Sequence, residues 1–110
     1  MFKNGGKLML FASANRVKSR RVDSVREAAL TTAEHFNMGF EVVCFRNNCR
    51  QIYIYYGNGI DEPVPIYCDE GKMFDVEGIC TSLKKMMFVL SFHPRNLALR
   101  TMRMQLMGFS

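Results

Sequence analysis

The chain has 110 residues, is 48% hydrophobic and 23% charged, and carries a formal net charge of +5 at pH 7. That length suits one domain able to build a core without metals or disulfides, and the composition excludes a disordered segment. No apolar run approaches the roughly 20 residues of a membrane-spanning helix. The apolar core at residues 8–11 is shorter than the roughly 7–15 residues of a secretory signal. The expectation is a cytoplasmic, intracellular protein with reduced thiols.

"KLMLFA", residues 7–12, is a short apolar run between Gly5-Gly6 and Ser13, which predicts a strand. A polar, basic loop follows. From Ser19 the pattern turns helical: Val22, Val25, Ala29, Thr32, Ala33 and Phe36 recur at three- and four-residue steps on one face. Asp23 and Glu27 early and His35 late suit the helix dipole, and Gly39 is the expected stop. "FEVVCFR" and "CRQIYIYY" are rich in β-branched and aromatic residues. With Asn47-Asn48 between them they predict a hairpin, its register setting Val43 opposite Ile52, Phe45 opposite Arg50, Val42 opposite Tyr53 and Phe40 opposite Tyr55.

After the glycine-rich loop "GNGIDEP", residues 64–68 predict the third strand of a meander. Pro65 cannot donate to a ladder, so this strand belongs at an edge. Val76, Ile79, Cys80, Leu83, Met86, Met87 and Leu90 then form one apolar stripe of a helix capped by Asp75. Pro94 breaks that helix and opens a last one, which carries Leu97, Leu99, Met102, Leu106 and Met107 and closes at Gly108. The order predicts a single α+β domain over residues 1–110. It has two layers: a mostly antiparallel sheet of three to four strands arranged as a β-meander, packed by one helix after the first strand and by two C-terminal helices.

Charge is placed unevenly along these elements. Residues 1–40 carry seven Lys/Arg and three Asp/Glu, residues 41–78 three and seven, and residues 79–110 five and none. Two basic ends around an acidic middle give an oriented field that favours an acidic partner. Nine Met and nine Phe with no Trp suggest a soft core, and Met also suits adaptable binding faces.

Catalytic signatures are missing: no G-x-S-x-G, no phosphate loop and no H-E-x-x-H. Two histidines and no convergent polar set favour a non-enzymatic role. Zinc prefers clustered Cys and His ligands. Cys44, Cys49 and Cys68 are the candidates, but C-x4-C is not the usual paired spacing and Cys80 makes no second pair with Cys68. The expectation is no cofactor, with zinc the disfavoured alternative.

The preferred reading is therefore a small intracellular regulator that occludes an acidic surface of a protein partner. Its size is that of an inhibitor carried by a virus or mobile element. Arg46, Arg50, Tyr53 and Tyr55 around the hairpin and Arg95, Arg100 and Arg103 near the C-terminus are the contact candidates, since Arg and aromatic residues are enriched where proteins meet. Surplus apolar surface on the terminal helices would also suit a homodimer. The alternative is a DNA- or RNA-binding domain, with Arg16, Lys18, Arg20, Arg21, Lys84 and Lys85 on phosphates and the tyrosines on bases. Asp61, Glu62, Asp69 and Glu70 near the sheet argue against it.

Overall fold

A computed structural model of the chain describes residues 6–13, 20–45, 51–59, 61–69 and 75–107. The elements are β1 (Lys7–Ser13), α1 (Arg20–His35), β2 (Gly39–Phe45), β3 (Ile52–Gly57), β4 (Val64–Asp69), α2 (Val76–Leu90), α3 (Leu97–Thr101) and α4 (Arg103–Met107). They form an α+β fold: a four-stranded sheet with the helices on one face. Two of the three strand pairings are antiparallel.

The strand order is β2-β1-β3-β4, so the predicted hairpin between β2 and β3 is replaced. β1 lies between them, parallel to β2 and antiparallel to β3. Phe40 therefore sits beside Leu8, Val42 beside Leu10 and Val43 beside Phe11, while Tyr53 faces Phe11 and Tyr55 faces Met9. The reason lies in β1 itself. Leu8, Leu10 and Ala12 are fully buried on one face and Met9 and Phe11 are apolar on the other. A strand that is apolar on both sides is best placed in the middle of a sheet. The α1 crossover supplies the long connection that parallel pairing requires. The predicted turn at Asn47-Asn48, and the pairing of Phe45 with Arg50, involve residues outside those described.

The edge position predicted for β4 holds. A bulge between Ile54 and Tyr55 shifts its register, so that Tyr67 faces Ile54 and Pro65 faces Tyr55. Ile66 is the extra residue, buried against the core; an inserted residue of this kind re-aims a side chain and ends regular pairing.

Helix α1 buries Val22, Val25, Ala28, Ala29, Thr32 and Ala33. Its stop is Asn37, at φ 55, rather than Gly39, which opens β2. Met38 N–H donates to Ala33 O at 2.7 Å and Asn37 N–H to Glu34 O at 3.3 Å. Together they satisfy two terminal carbonyls in a left-handed C-cap, where Asn is the usual substitute for Gly. Helix α2 begins as predicted: Asp75 accepts from the Gly78 N–H at 2.8 Å. Ile79, Leu83 and Met87 reach the core, whereas Met86 is 39% exposed. The last helix starts at Leu97 after an Asn96 cap, not at Pro94, and breaks at Met102. Leu99 and Leu106 complete the core while Leu97 is 60% exposed.

Candidate functional site

The helical layer leaves an apolar surface in water. Val89 and Phe92 are each 59% exposed and Met104 is 79% exposed. Lys85, Val89 and Phe92 follow one another at helical spacing on the side of α2 away from Ile79, Leu83 and Met87. Arg103 holds this corner in shape. Its Nε donates to Ser91 Oγ at 3.1 Å, its Nη2 donates to Ser91 O at 2.9 Å, and its guanidinium carbon lies 4.1 Å from the Phe92 ring centre. Phe88 meets Phe92 edge to face at 5.2 Å.

The last carbonyls of α2 are accounted for one by one. Ser91 N–H covers Met87 and Phe88, Phe92 N–H covers Val89, and His93 N–H and Asn96 Nδ2 cover Leu90. Arg103 adds a cation where the helix dipole is negative. The result is a fixed apolar corner with cations beside it, and residues 79–110 contain no Asp or Glu.

A second surface is the sheet face opposite the helices. Burial alternates along β1 and β3: Leu8, Leu10, Ala12, Ile52, Ile54 and Tyr56 face the helices, while Met9, Phe11, Tyr53 and Tyr55 are half-buried on the other side. Phe11 and Tyr55 have ring centres 4.8 Å apart, and Tyr53 and Tyr55 6.3 Å. Tyr53 donates to Gln51 Oε1. A Lys7–Glu41 ion pair spans β1 and β2 on the same face.

Two polar clusters hold the layers together. Near the end of β4, Arg21 Nε donates to Asp69 Oδ2 at 2.7 Å and its Nη2 pairs with Asp69 Oδ1. Tyr67 donates to the same Oδ1 at 2.9 Å. The hydrogen bond to Asp69 raises the Arg21 pKa above its ordinary value. At the opposite end, Asn58 Nδ2 donates to Asn96 Oδ1 at 2.7 Å and Arg95 pairs with Asp61 at 2.9 Å. These residues flank a cavity of about 160 Å³ lined also by Glu62 and His93. That volume is below the roughly 300–1,000 Å³ of a small-molecule site, and the hydrogen bonds mark the region as a latch between the β3–β4 loop and the end of α2.

Burial pushes the phenols of Tyr56 and Tyr67 up to about 12, assisted at Tyr67 by its hydrogen bond to Asp69. The folded chain therefore keeps two protons that the unfolded chain loses near pH 10. Their contribution is complete below pH 10 and is lost as pH rises through about 12. A phenolate absorbance titration is expected to show Tyr56 and Tyr67 ionising later in the native protein than in urea. A single native step near 10 would contradict the buried placement.

The predicted contact residues separate in space. Tyr53 and Tyr55 share the open sheet face; Arg100 is exposed on α3, Arg95 is paired with Asp61, and Arg103 caps α2. Of the predicted phosphate contacts, Arg21 is locked to Asp69, Arg20 and Lys85 are exposed, and Lys84 is half-buried. Arg16, Lys18, Arg46, Cys49 and Arg50 lie outside the described residues. Cys44 and Cys68 stand on opposite edge strands, three strand spacings or roughly 14 Å apart, too far to share one zinc ion. Cys80 Sγ contacts Ala28 O at 3.5 Å under α1. Among the described residues no group of three His, Cys, Asp or Glu could hold a metal ion. No helix among them is long and apolar enough to cross a membrane.

Sequence reasoning missed Phe11, Val89 and Phe92. The period-two partner of Met9 and the residues at four and seven steps from Lys85 were the available signals. Comparison with protein-family models, curated proteins and solved structures finds no match to this chain.

Proposed function

We propose that the protein is a small binding module that docks on an acidic surface of a protein partner through its helical layer. The observation that carries this reading is the exposed Val89, Phe92 and Met104 corner, with Lys85 and Arg100 in the same acid-free stretch. Exposed apolar side chains rimmed by cations are a feature of docking surfaces. The cations steer the encounter and suppress basic competitors, and the apolar anchors set the residence time. The role is occlusion, with no chemical step.

The test separates the two contributions. A partner captured from native lysate is identified and its binding kinetics are measured against variants. Lys85→Glu with Arg100→Glu should slow association by about tenfold and flatten its salt dependence. Phe92→Ser should speed dissociation and leave association nearly unchanged. Arg103 is left intact, because its reversal would uncap α2. Capture that survives both variants, or that vanishes on nuclease treatment, overturns the proposal.

A further inference from the structure

The two edges of the sheet are built differently. β4 guards its edge with Pro65 and with the bulge between Ile54 and Tyr55, devices that discourage a further strand. β2 has neither, and its seven residues pair with β1 in unbroken register. Gly39 N–H donates to Gly6 O at 2.8 Å, so Gly39, Glu41 and Val43 turn their backbone groups toward β1. Phe40, Val42 and Cys44 turn theirs outward, where no strand lies among the described residues. An outward row of N–H and C=O groups is completed by another extended chain.

The helix flank beside that edge says which chain. Arg21 reaches Asp69 on β4, and Ala28 O meets Cys80 Sγ of α2, so that side of α1 looks toward β3 and β4. Leu30 is nine residues beyond Arg21, half a turn round the helix, and therefore looks over β2. It is 41% exposed, and Val42, on the helix side of β2 beside Leu10, is 37% exposed. The two stand level across the tight turn that joins α1 to β2. Leu30 is roughly 9 Å back along the helix from Phe36, and Val42 is roughly 10 Å along the strand from Gly39. Arg26 and Glu34 lie one turn before and one turn after Leu30, on the same flank.

We infer that β2 is a self-association edge: two copies of the chain pair their β2 strands antiparallel about Val42 and join their sheets into one. In this register Val42 meets Val42 of the second copy, Phe40 meets Cys44 and Glu41 meets Val43, so facing residues share a side of the sheet. The outward groups of Phe40, Val42 and Cys44 fall opposite one another and complete the hydrogen-bonded pairs of an antiparallel ladder. The same two-fold axis brings the α1 flanks together antiparallel. Leu30 meets Leu30, and Arg26 of each copy meets Glu34 of the other. The charges are thus self-complementary, as an isologous contact requires. Glu41 is held by Lys7 and faces no acid. This edge is apart from the exposed corner of α2 and α4, so the inference does not rest on the docking reading.

Sedimentation velocity on the full-length protein is expected to show a monomer–dimer equilibrium that shifts with concentration across the micromolar range. Val42→Pro removes only an outward N–H and leaves the β1 ladder intact, as proline on an edge strand does. Val42→Lys sets two cations together at the axis. Each should weaken the dimer at least about tenfold, with circular dichroism unchanged. Glu34→Arg should weaken it about fivefold, and Arg26→Glu combined with Glu34→Arg should recover most of that loss, because the pairs are exchanged rather than broken. A parent protein that stays monomeric throughout overturns the inference, and this needs no variant. A dimer indifferent to both Val42 variants, or a Glu34→Arg loss that the double exchange does not recover, places the contact elsewhere and also overturns it.

Discussion

Replacing Asp69 by Asn is expected to lower unfolding free energy by about 3 kcal/mol, toward the lower end for a broken buried ion pair. The side chain is only 2% exposed and is gripped by both arms of the Arg21 guanidinium and by the Tyr67 hydroxyl. An amide keeps one accepting oxygen and replaces the other with an NH2 donor, and it leaves the cation without its counter-charge. Arg21 is 19% exposed, so water recovers part of the loss, which keeps the figure from the upper end of the range. Urea unfolding should show a lower midpoint at unchanged slope. Arg21→Met combined with Asp69→Leu should regain most of the stability, because an apolar pair of similar volume avoids desolvating two charges. A double variant as weak as the single would show that the cluster supports the fold by some route other than charge pairing.

Gly6→Ala is the second damaging change. Gly6 sits at φ +89, and a Cβ there would lie 2.7 Å from Tyr56 Oη, 2.8 Å from Gly57 O and 2.9 Å from Tyr56 Cε1. The Gly57 carbonyl belongs to a strand end paired with Lys7, and Gly6 O itself accepts from Gly39 N–H at 2.8 Å. Neither neighbour can yield without opening a strand pairing. Left-handed strain of about 1–2 kcal/mol adds to overpacking of about 1–3 kcal/mol. The melting temperature should fall on the order of 10–20 °C. Gly59→Ala is the matched control: its φ is +83 but nothing lies within 4 Å of the added carbon. It should carry the strain cost alone, so equal losses at the two glycines would refute the steric argument.

What the sequence revealed and what it hid divide along the range of the interaction. The Asp75 cap and the Ile79, Leu83, Met87 stripe are local, and period and chemistry are enough to read them. The order of elements and the edge position of β4 were legible for the same reason, since Pro65 restricts its own strand. Choosing the neighbour of a strand is not local. Asn47-Asn48 offered a turn signal, and nothing within that stretch announces that β1 inserts between the strands on either side. The Arg21–Asp69 pair spans 48 residues, so Arg21 reads as one more cation on a basic stretch. Arg103 likewise reads as a contact residue until Ser91 is found beside it. Of the candidate surfaces, the tyrosines were visible by their alternation, but their meeting with Phe11 depends on the strand order.

The central placement of β1 also bears on how the molecule is made. Among the described strands the central β1 is synthesised before its two neighbours, which arrive only after α1 and after β2. Sheet assembly must wait for that later chain, leaving β3 with β4 as the sole short-range pairing among the described strands. Loop closures of this kind slow folding relative to helical bundles of the same length. An N-terminal truncation or a bulky fusion close to Lys7 would therefore disturb the keystone of the architecture rather than its periphery.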